Sequence, residues 1–275
     1  MAGILYLVGT PIGNLGDFSP RAQEILAEVD FIAAEDTRVT LKLLNHFGIK
    51  KPLICYFEHN RAEMGEKLLN RLLAGESCAL VSDAGMPAIS DPGEDIVRQC
   101  ACHGIPVSCA PGPTAMATAL ALSGLPTQRF TFEGFLSVSG KSRREHLESL
   151  REEKRTMVFY EAPHKLQRTL QDFWETFGDR DIALCRELTK LHEEIIRTTV
   201  GGALQLCQET PPRGEYVLVL RGAPEPEGPE LSQEQALELV ERYRAEGKSL
   251  KEACKLAAAD SGFAKNVLYS LAIGK

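Results

Sequence analysis

Three glycine- and proline-rich loops follow short apolar runs in the first half of the chain. Gly9-Thr10-Pro11-Ile12-Gly13-Asn14-Leu15-Gly16 comes after Ile4 to Val8, Val81-Ser82-Asp83-Ala84-Gly85-Met86-Pro87-Ala88 continues to Asp91-Pro92-Gly93, and Ala110-Pro111-Gly112-Pro113-Thr114-Ala115 is the third. Glycine at a strand-to-helix turn lets backbone amides come close to a ligand. The first loop has the spacing G-x3-G-x2-G, which matches neither the dinucleotide fingerprint nor a Walker A loop. Each loop alone is ordinary turn chemistry. Loops at the carboxyl ends of parallel strands share one sheet edge, however, and three on one edge favour a ligand site. Gly140-Lys141-Ser142 imitates the end of a P-loop, but Gly134 stands one residue too far upstream and no buried apolar helix is expected to follow.

Groups able to move a proton or hold a phosphate form three clusters. Glu35-Asp36-Thr37-Arg38 follows the second apolar run, on the same predicted sheet edge, while Glu161-Ala162-Pro163-His164 and Thr189-Lys190-Leu191-His192-Glu193 lie in the second half. A carboxylate, a neutral His or a neutral Lys can act as proton acceptor. Glu35, Asp36 and Arg38 also suit a helix cap with a solvated ion pair, His164 a first helical turn, and His192 a plain surface. Tyr56 and Phe57, ahead of His59-Asn60-Arg61, offer either base stacking beside a phosphate contact or core packing. No His/Asp/Glu cluster has metal-ligand spacing, so no metal is expected.

The elements that must position these groups show in the hydrophobic rhythm. Strand-length runs alternate with amphipathic stretches up to about residue 221, the pattern of an α/β architecture with a mostly parallel sheet. Ser19 is placed to cap a helix beginning at Pro20. Leu122-Ser123-Gly124-Leu125-Pro126 interrupts the alternation, which predicts an N-terminal α/β domain over 1–122 and a C-terminal one over 123–221, facing each other across a cleft. Residues 222–230 form an acidic, Pro-rich linker. Beyond it, 231–275 holds three short helical patterns. From Arg242 onward it carries Lys or Arg at 242, 244, 248, 251, 255, 265 and 275 against acids at 246, 252 and 260.

The 275 residues, 44% hydrophobic and 25% charged, are ample for a large core. A net charge of −7 argues against a generally basic nucleic-acid binder without excluding RNA at a local basic face. Eight cysteines include no CxxC pair, which fits free thiols in a reducing cytoplasm. No positive residue precedes the first apolar run, so a secretory signal is not expected. No run reaches the roughly 18 residues of a membrane span; the richest, Ala115 to Leu122, suits a buried helix.

The blocks GTPIGNLGDFSPRA, AEDTR, VSDAGMPAISDPG, CAPGPTAM, FYEAPHKL, RELTKLHEE and RGEYVLV, in this order over about residues 3–221, closely resemble the bacterial small-subunit ribosomal RNA cytidine 2′-O-methyltransferases of the tetrapyrrole methylase superfamily. One departure is Gly134-Phe135-Leu136-Ser137, where the family pattern has proline after the leucine. The resemblance implies two α/β domains with S-adenosyl-L-methionine folded into the cleft between them, a basic helical C-terminal extension, and a homodimer acting on the small ribosomal subunit or its RNA. It implies a first cofactor loop at Gly9 and Pro11. Asp83, Gly85, Pro87 and Ala88 form a second, and Pro111, Gly112, Pro113 and Thr114 a third. Tyr160, Glu161 and Gly214 would close over the cofactor from the second domain. Methyl transfer to a ribose hydroxyl then needs a proton acceptor, with Glu35 or Asp36 preferred and a buried Lys190 of lowered pKa competing. Arg38 and Lys190 would place the RNA backbone, and Glu193 completes the catalytic set. The rival readings are a C-methyltransferase acting on a corrin or porphyrin precursor and a non-catalytic ribosome-binding protein.

Overall fold

The computed structural model describes residues 2–224 and 231–274, so the linker is outside the described residues from 225 to 230. Residues up to Ala223 form one compact unit and those from Pro224 another.

The first sheet contains β1 (Leu5–Val8), β2 (Phe31–Ala34), β3 (Leu53–Cys55), β4 (Cys78–Val81) and β5 (Val107–Ala110), all parallel, in the order β3-β2-β4-β1-β5. Its crossovers are α1 (Pro20–Glu28), α2 (Thr37–His46), α3 (Arg61–Leu73) and α4 (Glu94–Cys102). The inner strands β2 and β4 read as unbroken apolar runs, buried throughout, because helices cover both faces. Ile32, Ala34, Ala79 and Val81 pack with Leu26 of α1 and Leu44 of α2, whereas Phe31, Ala33, Cys78 and Leu80 pack with Leu68 of α3 and Ile96 of α4. Ser19 accepts the Ala22 N–H at 3.1 Å with Pro20 as first helical residue, a cap contributing about 1 kcal/mol. The three glycine-proline loops leave adjacent strands, β4, β1 and β5, and β2 lies beside β4.

The second sheet contains β6 (Phe130–Phe135), β7 (Thr156–Glu161), β8 (Asp181–Arg186), β9 (Glu194–Thr199) and β10 (Tyr216–Leu220), with α6 (Gly140–Ser149), α7 (Pro163–Phe177) and α8 (Val200–Glu209) between them. Its order is β6-β7-β10-β8-β9, and only the β6–β7 pair is parallel. The expectation of a mostly parallel sheet is therefore corrected for this half. The helical crossovers do keep successive strands parallel, but the short connection from β8 to β9 has no helix and reverses the chain. β10 then inserts between β7 and β8 and runs against both.

One stretch, 111–129, joins the sheets, and it contains α5 (Ala115–Ser123). Although α5 follows a strand of the first sheet, its Ala119 and Leu120 pack on Val158, Ala183, Val217 and Val219 of the second. The opposite face of that sheet is covered by Leu170 and Phe173 of α7 and Ala203 of α8. In the second compact unit α9 (Gln233–Ala245), α10 (Leu250–Ser261) and α11 (Lys265–Ile273) enclose a small core of Ala236, Val240, Ala253, Ala257 and Leu268. Among the described residues no helix is long and apolar enough to cross a membrane. All eight cysteines are free thiols.

Candidate active site

The three loops of the first sheet are fastened to one another by their backbones. Thr10 and Gly85 exchange N–H···O bonds of 2.9 and 3.1 Å, and the Thr10 hydroxyl donates to the Ser82 carbonyl at 3.2 Å. Gly9 and Gly112 touch: a Cβ on Gly9 would stand 2.7 Å from the Gly112 backbone, which only glycine permits. The Gly112 N–H also points at the Met86 sulfur, 3.3 Å away. Beyond Gly85 the chain takes positive φ at Ala88 and Ser90. Among the described residues only two other non-glycines do so, Glu187 and Thr189, in the connection from β8 to β9. Both strained loops border one cavity, as backbone strain at functional sites commonly does.

That cavity, of about 650 Å³, lies between the sheets. Glu35, Asp83, Gly85, Asp91 and Thr114 line it from the first sheet, and Tyr160, Glu161, His164, Lys190 and Glu215 from the second. Apolar side chains such as Ile12, Met86, Met116, Leu188 and Val217 fill the remaining wall. The Tyr160 hydroxyl accepts the Met116 N–H at 3.1 Å, tying β7 to the first turn of α5, and burial pushes its pKa up. Glu161 is buried; it accepts the Ala162 N–H at 2.9 Å and the Thr169 hydroxyl, which in turn accepts from Arg143, itself ion-paired with Asp172 at 2.6 Å.

The acids divide sharply. Burial, then repulsion from Asp91 and Asp83, raises the pKa of Glu35, and burial likewise raises Asp83 and Asp91. Asp36, next to Glu35, instead caps α2 by accepting the Arg38 N–H at 2.8 Å and forms a forked ion pair with the Arg38 guanidinium, which holds it at about 2. The Arg38 side chain is 87% exposed. Asp36 and Arg38 thus make the solvated helix cap and lie outside the cavity lining. Glu193 is outside it too, bracing the β8–β9 connection by accepting the Thr189 N–H at 2.6 Å.

Lys190 reaches the cavity, but not as a neutral amine. Its ammonium pairs with Glu187 and Glu215, each at 2.9 Å. Burial pulls its pKa down, yet the bonds to Glu215 and Glu187 outweigh burial and the net shift is upward. The expected lowered pKa is corrected: the paired carboxylates stabilise the charged form. The aliphatic stem of Lys190 lies against Gly13 of the first loop.

Of the residues assigned to the cofactor, Asp83, Gly85, Thr114, Tyr160 and Glu161 line the cavity. Gly9 and Gly112 form the glycine contact behind it, and Pro11, Pro87, Ala88, Pro111 and Pro113 shape the loops. Gly214, with φ of +80°, leaves room for Glu187, whose carboxylate accepts the Glu215 N–H at 2.9 Å. Tyr56 is fully buried and donates to Asp95 at 2.6 Å, so of its two readings core packing holds and base stacking does not. His192 is exposed. Sequence reasoning missed Asp91, Glu215 and Phe135. Asp91 stood in the open as the second acid of its loop, and Glu215 as the neighbour of a glycine already singled out. Among the described residues no His/Cys/Asp/Glu group could hold a metal ion.

The family model for Tetrapyrrole (Corrin/Porphyrin) Methylases matches residues 4–204. Ribosomal RNA small subunit methyltransferase I of Synechocystis sp. is 47% identical over 272 residues, 98% of each chain. The protein of the same name from Thermotoga maritima is 49% identical over 220 residues, 80% of this chain but 99% of its own. Among solved structures, a uroporphyrin-III C-methyltransferase from Thermus thermophilus complexed with S-adenyl homocysteine has a TM-score of 0.53 at 20% identity, over 80% of this chain and 97% of its own, and shares the fold. The chain belongs to the tetrapyrrole methylase family and, within it, to the group named ribosomal RNA small subunit methyltransferase I.

Proposed function

We propose that this chain transfers a methyl group from S-adenosyl-L-methionine to the ribose 2′-oxygen of a cytidine in small-subunit ribosomal RNA, in the cytoplasm and as a homodimer. The observation behind this reading is the charge of the cavity. Glu35, Asp83, Asp91 and Glu215 line it, with Glu161 at its edge bonded to Thr169, against one lysine already paired twice. Such a site suits a cationic sulfonium compound, and its apolar wall suits an adenine ring. The cofactor supplies an electrophilic methyl group and leaves as a neutral thioether.

The chain's own residues do the rest. The fastened loops at Gly9 and Pro11, Asp83 to Ala88 and Pro111 to Thr114 shape the cofactor side, with Tyr160, Glu161 and Gly214 opposite. Glu35 accepts the proton of the 2′-hydroxyl, because it is the acid of its cluster that faces the cavity and its raised pKa makes it the stronger base. Lys190, anchored by Glu187 and Glu215, orders the β8–β9 loop, while Arg38 stands exposed for a phosphate. A corrin or porphyrin substrate is disfavoured because the relatives matched at full length bear the ribosomal RNA name, whereas the tetrapyrrole enzymes share the fold alone.

The test is incubation of purified protein and cofactor with small subunits from cells lacking the gene, followed by mapping of ribose methylation. A new 2′-O-methylcytidine is expected. Methylation of a base atom, or of a tetrapyrrole with RNA untouched, would overturn the reading.

A further inference from the structure

Phe135 occupies an unusual place for a large apolar residue: it lines the cavity and is 61% exposed. It gets there through a β-bulge. The pairing of β6 with β7 shifts register between Phe132 and Gly134, and Gly134 takes φ of +61°. Three positions apart in a regular strand, Phe132 and Phe135 would face opposite sides of the sheet. With the extra residue both meet the same ring, Tyr160, with centroid distances of 5.0 and 5.5 Å. Glu133, between them, bonds His146 of α6 on the other face at 2.9 Å. The bulge therefore re-aims one aromatic ring onto the cavity side, a known use of bulges beside active sites. It also sets Gly134 against Ser90 of the strained first-sheet loop, where a Cβ would be 3.4 Å from the Ser90 hydroxyl oxygen. The neighbouring Ile89, 47% exposed, lines the cavity as well.

An aromatic and aliphatic lip on an acidic cavity constrains what can enter past it. A phosphate is repelled by the carboxylates inside, whereas an uncharged planar ring can stack on an exposed aromatic side chain. We propose that Phe135 is the stacking platform for the target nucleobase, drawn out of its RNA strand so that ribose reaches Glu35 while the phosphates stay outside. Unstacked bases held on aromatic side chains are the general currency of single-strand RNA recognition. This inference rests on the RNA reading of the site; the adenine of the cofactor is the other nucleobase available, and the experiment separates them.

Phe135→Ala should lower kcat/KM on small subunits by about ten- to hundredfold, mainly through KM. Cofactor affinity by calorimetry should stay within about twofold of the unaltered protein, as should oligomeric state. Phe135→Trp should restore turnover and Phe135→Leu should not. Unchanged kinetics in F135A, full rescue by leucine, a parallel loss of cofactor affinity or dissociation of a dimer would each overturn the assignment. Independently of turnover, a pyrrolocytidine in a short single-stranded RNA should lose emission on titration with the unaltered protein and keep it with F135A. Absence of quenching by the unaltered protein overturns the platform. Quenching with no methylation of small subunits instead overturns the RNA methylation reading and leaves the platform standing.

Discussion

The Glu35 carboxyl faces the cavity with its titration pushed upward by burial and by Asp91 and Asp83, while the adjacent Asp36 is held at about 2 by Arg38. A proton acceptor must be ionised, so turnover should rise with pH through the interval just above the ordinary carboxylate range. Glu35→Gln should abolish that limb and cost about 10²–10⁴-fold in kcat. Asp36→Ala should instead lower Tm by removing the α2 cap and keep most turnover; a kcat loss in this variant equal to that in Glu35→Gln would refute the assignment. The raised carboxylates also bear on stability. Above the ordinary carboxylate range the folded chain retains protons that the unfolded chain has lost, so stability falls as pH rises through that window. Asp91→Asn removes one such charge and should raise Tm at neutral pH by roughly 2 °C while weakening cofactor binding, checked by calorimetry on one sample. The sequence marked Glu35 and Asp36 as one cluster. Backbone direction after β2 separates them, and no local spacing encodes which of two neighbours turns inward.

Loops at the strand ends were the most legible part of the site, because glycine and proline declare special backbone geometry wherever they stand. That Gly9 and Gly112 touch was hidden, since the contact depends on β1 and β5 being neighbours. Gly9→Ala would press a methyl group into the Gly112 backbone and should cost about 2–3 kcal/mol. Urea unfolding with cofactor titration checks it; stability and affinity equal to the unaltered protein would show that the loops can part freely. The second sheet was less legible. Helices between strands correctly announced α/β alternation, but a single hairpin after β8 changes which strands pair, and long-range pairing leaves no periodic trace. The bulge in β6 was invisible for the same reason: its signal is one glycine among twenty-three.

The two compact units divide the chain near residue 223, and the Thermotoga maritima relative has a length close to that of the first alone. Residues 1–223 should therefore fold and bind cofactor unaided. We propose that the stretch from Arg242 through α10 and α11 adds grip on RNA phosphates, since its bases outnumber its acids. Removing 224–275 should weaken RNA binding and flatten its dependence on salt, because fewer counterions are released. Equal affinity and salt slope in both forms, measured by fluorescence anisotropy, would assign those helices another role. The three helical patterns of this unit were readable from their periodicity; the structure adds Ser232 and Ser249 as N-caps of α9 and α10. Its charge was readable too, from the spacing of Lys and Arg beyond Arg242.

The packing of α5 has a mechanical consequence. One stretch of chain joins the sheets, and its helix is fixed to the second, bound through Ala119 and Leu120 and through the Tyr160 hydroxyl. Any opening of the cleft must then bend the backbone ahead of α5, at Pro111-Gly112-Pro113-Thr114. The loop proposed to meet the cofactor would thus also be the hinge. Two prolines restrict its torsions, and the glycine between them is clasped by Gly9. Ligand that fills this loop would lock the joint on which the sheets would swing, and cleft closure and cofactor occupancy would become one event.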